Sequence, residues 1–456
     1  MKKLQIHNSL SGKIKDFIPL DDKNIRIYAC GPTVYSSPHI GNARPLVIFD
    51  VLFRLLKTMY PTVIYVRNIT DVDDKINAGA KEKNISIKEL TDEVIKEFHQ
   101  NIELINVLPV THEPRATAHI KEMLEIISTL VAREFAYVAD NHVLFRVRKM
   151  SNYGMLSKRN LDDMIAGSRI EIAPYKEDPL DFVLWKPAEI GSPSWDSPFG
   201  KGRPGWHIEC SAMSKKYLGN KFDIHAGGQD LIFPHHENEI AQNFGICDCV
   251  PANYWMHNGM LLVNGQKMSK SLGNIISLKD ILQRYDGEII RYVLLSSHYQ
   301  KTLNWTDEAV SQAKRALNRL YGALELSTES TVDENDDSNI SEALLGNLNT
   351  PLALRRLHEI ADQIYKSSDQ TKINVLSERL KNSANLLGLL NKESKSWFKQ
   401  HDQRISSEKI EQLLAKRQKA KADKNFALAD KIRKELLSDN ILVEDTKNGS
   451  TWKILR

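Results

Sequence analysis

Residues 24–67 read NIRIYACGPTVYSSPHIGNARPLVIFDVLFRLLKTMYPTVIYVR. The first six, 24–29, alternate and are rich in β-branched and aromatic side chains, which predicts a strand; Cys30, Gly31 and Pro32 end it in a turn. A helix opens over 38–42, because Leu46, Phe49, Leu52, Phe53 and Leu56 then recur at helical spacing. The run TVIYVR at 62–67 predicts a second strand. Strand, helix and strand in that order make a βαβ unit and imply a parallel sheet.

Outward from this unit, residues 80–135 read as amphipathic helices and 136–204 as a mixed inserted segment that runs into a loop rich in Gly, Pro and Ser at 191–205. The α/β pattern then resumes: a helix at 206–218, a strand at 222–225, a helix at 234–244, and short strands at 254–257 and 260–263. Beyond 308 long helical patterns take over, with a polar linker at 327–338. The expected organisation is an α/β sheet domain in two halves, 1–135 and 205–307, split by the insertion 136–204. A helical domain (308–400) and a small basic C-terminal module (401–456) follow. A length of 456 residues allows about three domains.

The 62 basic and 58 acidic residues leave a net charge of +4, compatible with an RNA partner without requiring one. No stretch approaches the roughly 20 apolar residues of a membrane span, and the start lacks the pattern of a secretory signal. Only Cys30, Cys210, Cys247 and Cys249 occur, which points to a reducing cytosol. The spacing of Cys247 and Cys249 is not that of common zinc pairs, so they read as packing in a loop.

Two short runs carry chemistry. Pro38-His39-Ile40-Gly41-Asn42 lies where a strand's carboxyl end meets a helix, the edge at which open α/β sheets bind ligands. A helix N-terminus suits phosphate, His39 and Asn42 share a face, and Gly41 lets a nucleotide approach. Lys267-Met268-Ser269-Lys270-Ser271 places two lysines on a glycine-flanked loop able to neutralise phosphate charge. Taken singly, the first reads rather as an ordinary helix start with a surface histidine, and the second as readily as a solvated polar loop.

Together, in this order and placement, they resemble the signature pair of class I aminoacyl-tRNA synthetases. One departure is Asn42, where the family often has a second histidine; asparagine keeps a donor but carries no charge. The stretches 28–35 (YACGPTVY), 68–76 (NITDVDDKI), 205–213 (GWHIECSAM), 233–239 (FPHHENE) and 255–259 (WMHNG) are similar to blocks of cysteinyl-tRNA synthetases. The resemblance implies a Rossmann-like catalytic domain, ATP with Mg²⁺, L-cysteine and tRNA(Cys) as substrates, and a cytoplasmic monomer. It assigns phosphate binding and catalysis to His39, Gly41, Asn42, Lys267 and Lys270, and the amino-acid pocket to Thr70 and Trp206, with His225 near it or near ATP. It further implies one Zn²⁺ per chain on Cys30, Cys210, His235 and Glu239.

The residues themselves are compatible with that ligand set. His235 and Glu239, four apart, face one way on a helix, and zinc accepts sulfur, nitrogen and oxygen together. Spacing alone leaves His236 and Glu237 as alternatives. Four protein ligands would exceed the usual three of a catalytic zinc, so either a fifth position opens for substrate or Glu239 moves away. A metal-held thiolate would separate cysteine from serine better than a shaped pocket, which discriminates near-isosteres by only about 1–3 kcal/mol. Trp206 is either pocket or core. Asp71, Asp73 and Asp74 lack the pattern of a calcium loop and read as structural.

Residues 409–435 hold nine basic side chains against four acidic, followed by an apolar run and Trp452. That order resembles the family's anticodon-end module, where basic groups hold phosphates and aromatics stack on bases. Two other functions share parts of this pattern. An ATP-dependent ligase joining cysteine to an amino-sugar would lack such a tail, and a zinc-stabilised RNA-binding protein would not need intact phosphate motifs.

Overall fold

The strand Asn24–Ala29 lies at the centre of a four-stranded parallel sheet. Its neighbours are Thr62–Arg67 on one side and Phe222–Gly228 on the other, with Ala252–Asn258 outermost beyond the latter. Each half of the βαβ pattern therefore grows away from the Asn24–Ala29/Phe222–Gly228 seam. At that seam the strand order reverses and a crevice opens beyond the carboxyl ends. Registration of Ala29 opposite both Arg67 and Ala226 brings Cys30 to this crevice. The computed structural model describes residues 3–161, 173–188, 191–269, 272–328, 339–401, 407–423, 425–438, 441–446 and 449–454.

The connecting helix Ile40–Met59 is buried along most of its length, as expected for a crossover on a parallel sheet. Pro61, just past its last turn, helps to end it. The insertion contains a four-stranded antiparallel sheet of Ala136–Ala139, His142–Phe145, Phe182–Pro187 and Gly202–Pro204, in that order. Its Phe145, Phe182 and Trp185 share one apolar core with Ile208 and Met213 of the helix Ile208–Leu218, so the insertion packs onto the second half-sheet. A small sheet joins Leu261–Val263 to Gln266–Lys267 (antiparallel) and to Leu303–Trp305 (parallel). All of this belongs to the first of two compact units, residues 1–310 with 338–356 and 386–388.

The second unit comprises 311–337, 357–385 and 389–456. It is mostly helical: the rings of Tyr321 and Trp397 stack at 4.5 Å, and Trp397 donates its indole N–H to Asn318 at 2.8 Å. Near its end, helices Ser407–Ala422 and Phe426–Ser438 share an apolar cluster with the hairpin Ile441–Thr446/Gly449–Ile454, built on Leu414, Leu436, Val443 and Trp452. Of the expected linker at 327–338, residues 329–338 lie outside the described residues. Among the described residues no helix is long and apolar enough to cross a membrane.

Candidate active site and metal centre

A cleft of about 430 Å³ opens at the seam. Cys30, Thr70, Trp206, Cys210 and His235 line one part of it, and His39, Gly41, Asn42, Lys267 and Met268 another. Gly31 is required here: a Cβ on it would lie 1.6 Å from the Asn68 carbonyl oxygen, so only glycine lets the two strand ends close this tightly.

At the base, the Sγ of Cys30 lies 3.4 Å from the Sγ of Cys210 and 3.4 Å from Oε1 of Glu239. Nε2 of His235 is 3.2 Å from the same Glu239 oxygen. The four donor atoms all fall within 4.8 Å of one another. His235 sits in an irregular turn, Ile232–His236, just before the helix Glu237–Cys247, so the expected one-face placement with Glu239 arises across a helix start. Burial pushes both thiols up, with their mutual contact and Glu239 adding to the rise at Cys30. Burial lowers His235 to about 3. Burial also opposes ionisation of Glu239, but His225 and His235, with a hydrogen bond from Cys30, outweigh it and hold the carboxyl below its ordinary range.

This donor set fits a zinc ion. Among the described residues the contacts of the buried Glu239 carboxylate are a thiol and imidazoles, with no lysine or arginine on it, and a buried anion so placed calls for a cation. Sulfur, nitrogen and oxygen donors at this spacing are those zinc accepts.

A second overlapping group, Cys30, His225, His236 and Glu239, meets the same distance condition. In it His225 is bonded to Glu239 itself, and among the described residues His236 keeps a buried Nε2 without a hydrogen-bond partner. Nε2 of His225 bonds the other Glu239 oxygen at 2.8 Å, and Nδ1 of His236 shares a hydrogen bond with His257 at 2.8 Å while its Nε2 stays 4.0 Å from Glu239. His225 is wholly buried beneath Glu239 and does not line the cleft, which departs from the expected position beside substrate or ATP. Glu237 takes N–H bonds from Gly154, Leu156 and Ser157 at 3.0, 3.3 and 2.7 Å, which removes it as a rival ligand and makes it an anchor for that turn.

Trp206 lines the cleft and is not in the core: it is 42 % exposed and stacks on His235 with ring centroids 4.5 Å apart. Thr70 donates its hydroxyl to Glu209 at 2.8 Å and receives the Asn68 side-chain N–H at 3.2 Å. Asn68 also accepts the Gly31 N–H at 2.9 Å. Asn68 and Glu209 stand inside the stretches 68–76 and 205–213, but nothing in their spacing marks them as site residues. Asp230, a carboxylate on the cleft wall, carries no sequence motif of its own.

His39 and Asn42 cap the helix Ile40–Met59 reciprocally. The Asn42 N–H donates to Nδ1 of His39 at 3.2 Å, and the His39 N–H donates to Oδ1 of Asn42 at 3.0 Å. Nδ1 of His39 is thereby an acceptor, leaving Nε2–H as its donor. Burial lowers the His39 pKa, so at neutral pH it offers a hydrogen bond without a charge. The two motifs are also stitched together: the Ile40 N–H donates to the Ile276 carbonyl at 3.0 Å and the Leu278 N–H to the Pro38 carbonyl at 2.8 Å. Asn274 receives the Ser269 N–H and donates to the Lys267 carbonyl, bracing the lysine loop. Lys270 and Ser271 lie outside the described residues.

The three aspartates are structural, as expected. Asp71 accepts from the Thr117 N–H and hydroxyl, Asp73 caps the helix Asp74–Lys83, and Asp74 pairs with Lys186 and Arg203. Cys247 and Cys249 form a disulfide, where loop packing was expected. The left-handed residue Asp248 turns the chain at the helix end and brings the two sulfurs together.

A parallel sheet split by an insertion, with its cleft flanked by a capped helix and a lysine loop, defines a class I synthetase fold. The family model "tRNA synthetases class I (C) catalytic domain" matches residues 16–315. Fold neighbours are the methionyl-tRNA synthetase of Mycobacterium tuberculosis in complex with methionyl-adenylate (TM-score 0.58, 14 % identity, 83 % of this chain and 93 % of that one) and the LeuRS–tRNA–LeuAMS complex of Agrobacterium radiobacter (0.58, 11 %, 84 % and 86 %). The chain is also 49 % identical to the cysteine–tRNA ligase of Paramagnetospirillum magneticum over 457 residues (99 % of each chain), and 49 % identical to that of Gluconobacter oxydans over 454 residues (99 % and 98 %). It belongs to the cysteine–tRNA ligase family of class I aminoacyl-tRNA synthetases.

Proposed function

We propose that the protein activates L-cysteine with ATP and transfers the cysteinyl group to the 3′ end of tRNA(Cys). The observation that carries this is one cleft lined both by Cys30, Cys210 and His235 of the cluster that Glu239 completes and by His39, Gly41, Asn42 and Lys267. Cys30, Cys210, His235 and Glu239 would hold the zinc ion, which when bound supplies an affinity for thiolate that a hydroxyl cannot match.

His39 through Nε2–H, Asn42 and the helix N-terminus hold the triphosphate with its Mg²⁺, while Gly41 keeps the approach open. The cysteine carboxylate then attacks the α-phosphorus and pyrophosphate leaves. Lys267 and Lys270 neutralise the charge that develops, so positioning and electrostatics do the work without a protein nucleophile. Thr70 and Trp206 border the amino acid, with Trp206 roofing the metal side over His235. His225 holds the second oxygen of Glu239 and so sets the carboxylate's direction. A ribose hydroxyl of tRNA finally attacks the cysteinyl carbonyl and AMP leaves. The basic helices of the C-terminal module bind the far end of the tRNA, and the chain works as a cytoplasmic monomer.

ATP–pyrophosphate exchange tests the reading directly. Exchange should depend on cysteine, serine should support it at least about a hundredfold less well, and tRNA(Cys) should accept the product. Exchange without cysteine dependence would overturn the assignment, and transfer to an amino-sugar in place of tRNA would move it to the other ligase class.

A further inference from the structure

Arg44 is wholly buried in the helix Ile40–Met59, one turn beyond the His39 cap. Every partner the described residues give its guanidinium is a backbone carbonyl. Nη1 donates to Gly259 and Met260 at 2.7 and 2.6 Å, and Nη2 to Lys301 and His298 at 2.6 and 3.3 Å. Its Nε is buried without a partner. A buried cation held only by carbonyl dipoles is a poor device for stability alone, since an apolar side chain would avoid the desolvation cost.

The four carbonyls belong to two links with a common destination. Gly259 and Met260 connect the outer sheet strand Ala252–Asn258 to Leu261–Val263, whose hairpin partner is Gln266–Lys267. His298 and Lys301 precede Leu303–Trp305, the strand that supports Leu261–Val263 from the other side. The Gly259 N–H donates to Tyr299 and the Leu303 N–H to Met260, at 2.7 and 2.9 Å, so the links also hold each other. One guanidinium thus ties the helix that carries the first motif to the root of the hairpin that carries Lys267.

We propose that Arg44 is a positioning residue for adenylate formation: it fixes the root of the lysine hairpin relative to His39 and Asn42, so that Lys267 meets the phosphates in the transition state. The proposal rests on the activation chemistry given above. Arg44 touches no substrate and acts through Lys267.

A double-mutant cycle in the full-length enzyme reads this out. Arg44→Lys, which keeps the charge but gathers its donors on one atom, should lower kcat for cysteine-dependent exchange by about tenfold and leave KM for ATP within about threefold. In a Lys267→Ala background the same substitution should cost less than about twofold, because the group being positioned is gone. Gly259→Ala provides an independent route, since its Cβ would meet the Lys301 carbonyl oxygen at 2.6 Å and shift the same junction without altering Arg44. It should reproduce both the kcat loss and the cancellation, and it decides the matter if Arg44→Lys does not fold. Equal losses in both backgrounds, or a loss confined to KM, would show a merely structural arginine. Absence of cysteine-dependent exchange in the unaltered enzyme would instead overturn the activation reading.

Discussion

Cys210 illustrates how a single residue acquires meaning from its neighbours. It is buried on the helix Ile208–Leu218, and its sulfur faces Cys30 across the seam of the two half-sheets. Replacing it with serine changes one donor atom with little change in volume, so a lost zinc ion reads out ligation and not packing. Cys210→Ser should drop bound zinc well below one per chain, measured by elemental mass spectrometry, and weaken cysteine-dependent exchange by more than about tenfold, since even outer partners of metal ligands cost that much. Full zinc content with intact exchange would remove Cys210 from the ligand set.

At the scale of elements, the helix Glu237–Cys247 does two jobs with adjacent acidic residues. Glu239 turns toward the thiols, whereas Glu237 turns to the insertion and collects three backbone N–H groups from residues 154–157. Glu237→Ala leaves those buried donors unpaired and should destabilise the fold by about 3 kcal/mol, seen as a lower denaturation midpoint. The surviving folded protein should keep its zinc. Metal loss at unchanged stability would reverse the roles of the two glutamates.

For the whole molecule, the C-terminal module has its own apolar cluster, so its removal need not disturb the sheet. Deleting residues 407–456 should leave cysteine-dependent exchange largely intact and raise KM for tRNA sharply. The structure revises which groups there can touch RNA. Arg417 is buried and donates to Ser450 at 2.9 Å, and Trp452 is buried with its indole N–H on Glu411 at 2.8 Å. Neither is presented as the free cation or stacking ring that the sequence suggested, and Lys424 lies outside the described residues. Lys416 and Lys419 are exposed, and reversing either should flatten the salt dependence of tRNA binding by about one unit. Equal loss of exchange and charging on truncation would make the module a support for the fold.

The strands 24–29 and 62–67, the helix between them and the two motifs were legible from sequence, because periodicity and turn chemistry are local properties of the chain. The thiols of Cys30 and Cys210 were legible as candidates, but 180 residues separate them, and only the strand order brings their sulfurs to 3.4 Å. The same holds for what a side chain faces. His225 beneath Glu239, Glu237 on the 154–157 turn, Arg44 on four carbonyls and Arg417 on the hairpin all follow from long-range packing. Residue type states what a group is able to bind; which partner it finds is decided when distant segments close around it and exclude water.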